Sequence, residues 1–222
     1  MPSALTLYYG DTATNYEAAR TADEIWKAET ETITPVLQRL MWPGEQVLDV
    51  AAGTGRWLEL YKATGVRPTL LDVSPDMLAI AARHAADRAL PIDILTRNVL
   101  EMSALPDCDW LVATRFFNWI PGSAVAAVLR TAVVSGIRHY AFTARTLDES
   151  ATPEQRAESR AYWRTRNERV KQGLQNKGIY HLQSRRRIRR VAERLGLQLV
   201  SEHVIERVRG DVYSLFVFSI AD

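Results

Sequence analysis

Three features of the sequence predict an α/β fold: a doubly wound sheet of seven strands, mostly parallel, ending in an antiparallel C-terminal hairpin. Short apolar runs alternate with helical patterns through roughly the first 145 residues. A glycine-rich turn follows the first apolar run directly. Two long strand-like segments, joined at Gly210-Asp211, close the chain. Strands alternating with helices require a parallel sheet covered on both faces, and such connections are almost always right-handed.

Taken in order, Ile25, Ile33, Val36, Leu37 and Leu40 recur at helical spacing, and Pro35 is expected to break that segment into two pieces. Gln46 to Ala51 reads as a buried strand, followed by Gly53-Thr54-Gly55 and a helix carrying Trp57, Leu60 and Tyr61. Pro68 to Asp72 is the second strand. Ser74 then caps a helix with Pro75 at its first position, where a missing N–H costs nothing. Ile92 to Thr96, Trp110 to Thr114 and Arg138 to Thr143 are the third, fourth and fifth strands. Between the last two, Val125, Val128, Leu129 and Ala132 line one side of a helix that opens at Gly122 or Ser123. A polar helix is expected from Thr152 to about Gln172, with Thr152 and Pro153 as cap and first position. Ser184 caps a last helix with Ile188, Val191, Ala192 and Leu195 on one face, closed by Gly196. Leu197 to Arg207 and Val212 to Ile220 form the hairpin.

The length of 222 residues suits a single domain, 1–222, with residues 1–43 as an N-terminal helical cover and 145–183 as an inserted helical lid. The chain is 47% hydrophobic and 24% charged, as soluble globular proteins are, and its net charge of +2 points to no polyanionic partner. The lone cysteine, Cys108, excludes a disulfide within the chain and argues against a cysteine metal site. His84, His139 and His203 have no carboxylate at ligand spacing, so no metal is expected. Neither a signal-peptide pattern nor an apolar run of about 20 residues is visible, so a cytoplasmic, soluble protein is expected.

The chemistry concentrates after the first strand. In Leu48-Asp49-Val50-Ala51-Ala52-Gly53-Thr54-Gly55 a strand ends in small residues and turns tightly before a helix, so backbone can approach a ligand closely. This is how a nucleotide-like ligand is held at the carboxyl edge of a parallel sheet. The third glycine expected for a dinucleotide pyrophosphate is absent, with Arg56 directly after Gly55. Asp72 lies about 17 residues beyond Gly55, where a carboxylate meets both hydroxyls of a ribose.

With the run Leu71-Asp72-Val73-Ser74-Pro75-Asp76-Met77-Leu78, this pattern resembles the first two motifs of class I S-adenosylmethionine-dependent methyltransferases, which have a Rossmann-like sheet. The resemblance is to their small-molecule, quinone-biosynthesis-like branch and covers about residues 40–145. It implies S-adenosylmethionine as cofactor, with the loop at Ala51, Gly53 and Gly55 against its adenosine and methionine parts. It further implies ribose binding by Asp72, with Val73 beside it, and cover of the adenine by Met77 or a neighbour. By position, Asn98 and Val99 match the loop that contacts adenine, where the family more often has Asp at the Asn98 position. Arg115 would meet the cofactor carboxylate or the acceptor. Tyr16 and Arg20 fit the family's helix over the cofactor, or form an ordinary surface helix.

Several readings stay open. Asp49 either holds loop amides or contacts the cofactor amino group. Phe116, Phe117 and Trp119 either wall the sulfonium, which ring faces attract, or pack the core. The basic segment from Arg145 to Arg190, with Tyr162, Trp163 and Tyr180 among its arginines, is either a lid for an anionic acceptor or a solvated face with internal ion pairs. His181, next to Tyr180, is the candidate general base. Methyl transfer from a sulfonium needs alignment and water exclusion more than a base. The Asn/Asp-Pro-Pro-aromatic motif of base-amino methylation is absent after the fourth strand. Three functions fit: methyl transfer to a small, anionic acceptor, transfer to RNA or protein, and cofactor binding without turnover. Nucleic acid is the less favoured partner, and no membrane is expected.

Overall fold

The computed structural model describes residues 23–174 and 178–221. The strands are β1 (Gln46–Val50), β2 (Arg67–Asp72), β3 (Asp93–Thr96), β4 (Trp110–Ala113), β5 (His139–Leu147), β6 (Leu197–Val208) and β7 (Asp211–Ile220). They form one sheet in the order β3-β2-β1-β4-β5-β7-β6, parallel from β3 to β5 and antiparallel through β7 and β6. The doubly wound sheet expected from the sequence is borne out, including the closing hairpin.

Side chains alternate across the sheet, so neighbouring residues of one strand feed two cores. Leu48, Leu111, Phe142 and Phe216 face one side, under α4 (Gly122–Val134) and α6 (Arg185–Arg194). Val47, Leu70, Val112 and Leu215 face the other, under α1 (Glu24–Leu40), α2 (Leu58–Thr64) and α3 (Pro75–Asp87). Ser74 caps α3 as expected, its hydroxyl accepting from the Met77 amide at 3.2 Å.

Pro35 does not divide the first helix. α1 runs unbroken past it, and Pro35 and Glu31, whose carbonyl loses its partner, are both exposed. A proline inside a helix costs about 3 kcal/mol. Burying Ile33, Val36 and Leu37 on the opposite side offsets this, at about 1.5–3 kcal/mol each.

The fifth strand is longer than expected. Arg145 to Leu147 belong to β5 and pair with Tyr213, Val212 and Asp211 of β7. The sequence hid this because Arg145 reads as exposed, whereas its guanidinium is buried and paired. The helix after the glycine loop starts only at Leu58, after a run of turns. The polar helix α5 (Pro153–Lys171) has the expected Thr152 cap, completed by Gln155 into a reciprocal pair of hydrogen bonds. Only Ser159 of α5 is buried. No described helix is long and apolar enough to cross a membrane.

Candidate active site

Strand order reverses between β1 and β4, and in open α/β sheets ligands bind in the crevice at the carboxyl ends there. Two non-glycine residues in the left-handed region bracket this crevice. Ala51, directly after β1, has φ 58°, and Arg115, just past β4, has φ 57°. Such backbone costs on the order of 1–2 kcal/mol and persists where surrounding structure enforces it, often at functional sites.

The glycine loop is held from both sides. The Asp72 carboxylate at the end of β2 accepts from the Gly53 amide at 2.9 Å and, through its other oxygen, from Ser74 at 2.9 Å. Burial raises the pKa of Asp72, while the Ser74, Gly53 and Val73 amides pull it back. A carboxylate offers about four acceptor positions, so with three amides bound roughly one remains for a ligand. Gly53 has φ 58°, and a Cβ there would stand 3.2 Å from the Met77 Cε. Met77 therefore closes over the loop, and part of the need for glycine comes from this packing. Gly55 is buried beneath Leu58 and Ala81.

Asp49 is buried, and its Oδ2 has no hydrogen-bond partner. Burial pushes its pKa up to about 7, with the nearby Tyr61 hydroxyl pulling down and Asp72 adding to the rise. The carboxylate therefore does not hold loop amides through that oxygen, and it favours any cation brought beside it.

A second group of residues straps α1 across the crevice. Glu29 is fully buried and receives Arg56 and Arg115 on Oε2, the Arg115 Nε at 2.7 Å. Its Oε1 accepts from the Tyr213 hydroxyl at 2.7 Å. Tyr213 shares a hydrogen bond with Thr143 at 2.6 Å, and Thr143 accepts from the Arg115 amide at 2.7 Å. The Arg56 guanidinium lies 3.7 Å from the centre of the Trp26 ring. One carboxylate thus ties α1, the glycine loop, the β4 loop, β5 and β7 together. Removing one partner of such a buried group costs several kcal/mol. Arg115 is held by Glu29 here, with Asp23 at 3.7 Å, so its charge is already partly met within the protein.

On the far side of β5, Asn118 links the β4 loop to the returning chain. Its side chain donates to the carbonyls of Arg145 and His181 and accepts from the Arg145 amide at 2.8 Å. Arg145 pairs with Asp211 at 2.6 Å and with Glu206. Asp211 also accepts from Ser159 at 2.7 Å and from the Trp163 indole at 2.9 Å, which docks α5 onto the hairpin. Tyr180 stacks on Trp163 at 4.2 Å and meets Trp119 edge-on at 5.2 Å. The Arg166 guanidinium sits 5.6 to 5.8 Å from all three rings.

The expected site residues separate accordingly. Asp49, Ala51, Gly53, Gly55, Asp72, Val73 and Met77 lie together around the β1 and β2 ends. Phe116 is buried beside Phe117. Phe117 is fully buried against Phe142 and belongs to the core, not to a wall facing the crevice. Trp119 is half-buried against Tyr180. The Asn98 side chain caps the turn Val99–Glu101, accepting from Leu100 at 3.1 Å and donating to Glu101 at 2.8 Å, so its polar atoms already have local partners. Val99 is buried in the core near Leu71. The Tyr180 hydroxyl, pushed up to about 12 by burial against the pull of Arg145, stays protonated at neutral pH and donates rather than accepts a proton. Burial lowers the His181 pKa, keeping the ring neutral there. Tyr16 and Arg20 lie outside the described residues. The Cys108 thiol is buried and pushed up to about 12. Among the described residues no cluster has the makings of a metal site.

Glu29, Tyr213, Asn118 and Asp211 were not singled out from sequence. Glu29 alone left a signal: it sits four residues after Ile25 and four before Ile33, on the apolar stripe of α1.

Residues 47–134 match the family model described as a methyltransferase domain. The match bears out the resemblance carried by the glycine loop and Asp72. Among curated relatives, a ubiquinone biosynthesis O-methyltransferase of Xanthomonas campestris pv. campestris is 29% identical over 69 residues, 31% of this chain and 29% of that one. A malonyl-[acyl-carrier protein] O-methyltransferase of Serratia marcescens is 28% identical over 95 residues, 43% of this chain and 37% of that one. The chain thus spans less than half the length of these relatives. Among solved structures, magnesium protoporphyrin IX methyltransferase of Synechocystis PCC 6803 with bound SAH superposes with a TM-score of 0.70. It is 14% identical, with 96% of each chain covered, and the likeness speaks for the fold.

Proposed function

We propose that this chain is an S-adenosylmethionine-dependent methyltransferase acting on a small, anionic acceptor, with residues 145–183 as its lid within a single domain. The observation that carries the reading is the Asp72 carboxylate clasping the Gly53 amide beside an unpaired, buried Asp49 oxygen at the switch point of the sheet. These residues fit the group. Asp72 keeps an acceptor position for a ribose hydroxyl, Asp49 meets the cationic amino end, and Met77 with Val73 borders the base. Asn98 and Val99 contribute backbone and shape. Phe116 faces the methyl-donor end, and Arg115, shared with Glu29, serves the carboxylate, with Tyr16 and Arg20 reserved for the cover over it.

S-adenosylmethionine when bound supplies an electrophilic methyl group on a sulfonium. The protein's part is alignment and exclusion of water. α5 docks over the carboxyl edge through Asp211, and Trp119, Trp163, Tyr180 and Arg166 form a wall with cationic character. His181, neutral at pH 7, is available to take a proton from a hydroxyl acceptor. The lid arginines favour an anionic acceptor.

The test is transfer of a radiolabelled methyl group from S-adenosylmethionine to a panel of carboxylate-bearing phenols and thioesters. Label entering an acceptor, with S-adenosylhomocysteine as co-product, supports the reading. Cofactor binding with no transfer to any acceptor would favour a binding protein instead. Transfer to RNA alone would move the substrate class.

A further inference from the structure

The outer face of α6 is built against its own electrostatics. Its first turn holds Arg185, Arg186 and Arg187 and no acid, at the helix end whose dipole favours negative charge. Further along, Arg190 and Arg194 follow Arg186 at intervals of four, so three arginines against the one exposed Glu193 stack on one side of the helix, which disfavours the isolated element. Arg185 and Arg189 are answered by Glu202 of β6. Arg186, Arg187, Arg190 and Arg194 are exposed and pair with no carboxylate among the described residues. Ile188 and Ala192 anchor the opposite side in the core, so the stripe is fixed rather than free to turn.

Two further observations give the stripe a direction. Arg187 leans on the start of α4, where a Cβ on Gly122 would meet its NH1 at 3.4 Å, beside a shallow cleft bordered by Val125, Ala126, Leu129 and Val191. The stripe also begins only five residues after His181, and Gln183 between them is buried against the carbonyls of Phe117 and Ile120. A body resting on α6 therefore sits at the rim of the Tyr180–His181 wall.

We propose that the arginine stripe of α6 docks an acidic protein that carries the acceptor to the site. The proposal rests on the methyltransferase reading and names how its acceptor arrives. Charge complementarity identifies the occupant. The stripe from Arg186 to Arg194 rises about 12 Å, the length of a short acidic helix. A single-stranded nucleic acid track would be longer and would carry aromatic platforms among its arginines, and this face has none.

The probe is an acyl carrier protein bearing a malonyl thioester, the acceptor named for the Serratia marcescens relative. Steady-state kinetics compare the intact chain with the double variant Arg186→Glu/Arg190→Glu. Arg83→Glu, exposed on α3 over the other sheet face, is the charge control. S-adenosylhomocysteine affinity and circular dichroism check that each variant is folded. The expected result is a KM for the carrier-bound acceptor at least tenfold higher in the double variant, with kcat and S-adenosylhomocysteine affinity unchanged. KM of the intact chain should also rise with salt, and that of the double variant should not. Equal KM values in the two proteins overturn the proposal. So does the absence of carrier-protein binding, or a salt-dependent preference for an RNA oligonucleotide. Failure of the intact chain to bind S-adenosylhomocysteine would instead sink the methyltransferase reading beneath it.

Discussion

Gly210→Ala tests the lid without substituting any residue of the cofactor loop or of the aromatic wall. Gly210 lies in the β6–β7 turn with φ 80°, and a Cβ there would collide with the backbone of Gln155 and stand 2.8 Å from the Arg156 nitrogen. Backbone on both sides leaves no flexible side chain to give way, so the first turn of α5 must lift. The left-handed backbone costs an alanine about 1–2 kcal/mol. Lifting α5 also breaks at least one of the bonds from Ser159 and Trp163 to Asp211, each about 1.5–3 kcal/mol with a charged acceptor. Docking should therefore weaken by roughly 2.5–5 kcal/mol in total. The assay is limited proteolysis of residues 148–183, with Trp163 emission and methyl transfer measured on the same preparation. Cleavage should speed up, Trp163 emission should shift to the red, and transfer should fall by about two orders of magnitude. S-adenosylhomocysteine affinity should stay within a few-fold. Unchanged proteolysis and turnover would show that α5 does not need the hairpin, and the lid argument would fail.

Three further outcomes are expected. Asp72→Ala should raise the S-adenosylhomocysteine Kd by about 10–100-fold, for a lost charge-assisted pair. It should also lower stability in urea by about 1–3 kcal/mol, because the Gly53 and Ser74 amides lose their acceptor; normal melts and normal binding would move the site elsewhere. Asp49, with its pKa raised to about 7, should make S-adenosylhomocysteine affinity climb as pH rises toward 8, by at most about tenfold per unit, with a proton released on binding near pH 7. The stability sign is opposite: a raised carboxyl pKa favours the fold at low pH, and that stability is lost as pH rises from about 4 through about 7. Calorimetry in buffers of different ionisation enthalpy reads the proton, and Asp49→Asn should abolish both dependences. Glu29→Gln should loosen α1, since a neutral amide answers Arg56 and Arg115 poorly. A drop of about 3–5 kcal/mol in stability is expected from denaturant melts, and a variant as stable as the parent would deny the strap its role.

The sheet was legible because its signals are local. Gln46 to Ala51 and Pro68 to Asp72 are apolar runs ended by small or acidic residues, and Ser74-Pro75 and Thr152-Pro153 announce helix starts within a few positions. The half of the candidate site that lies on these runs could be read with them. The other half was not, because its bonds join distant parts of the chain. Glu29 meets Arg56 27 residues away, Arg115 86 away and Tyr213 184 away. Arg145 looked like the first charge of a surface segment and is a buried strand residue, because its partner Asp211 comes from the hairpin turn. Pro35 misled in the opposite sense: a local breaker was overridden by the burial of Ile33, Val36 and Leu37. Asn98 matched a family position, but its side chain is taken up by the turn it caps.

Isothermal titration of the purified chain with S-adenosylhomocysteine, and in parallel with NAD, bears most directly on the site at the β1–β4 crevice. Saturable one-to-one binding of S-adenosylhomocysteine, weakened by Asp72→Ala and absent for NAD, is the expected result. Tight NAD binding with no heat from S-adenosylhomocysteine would contradict it.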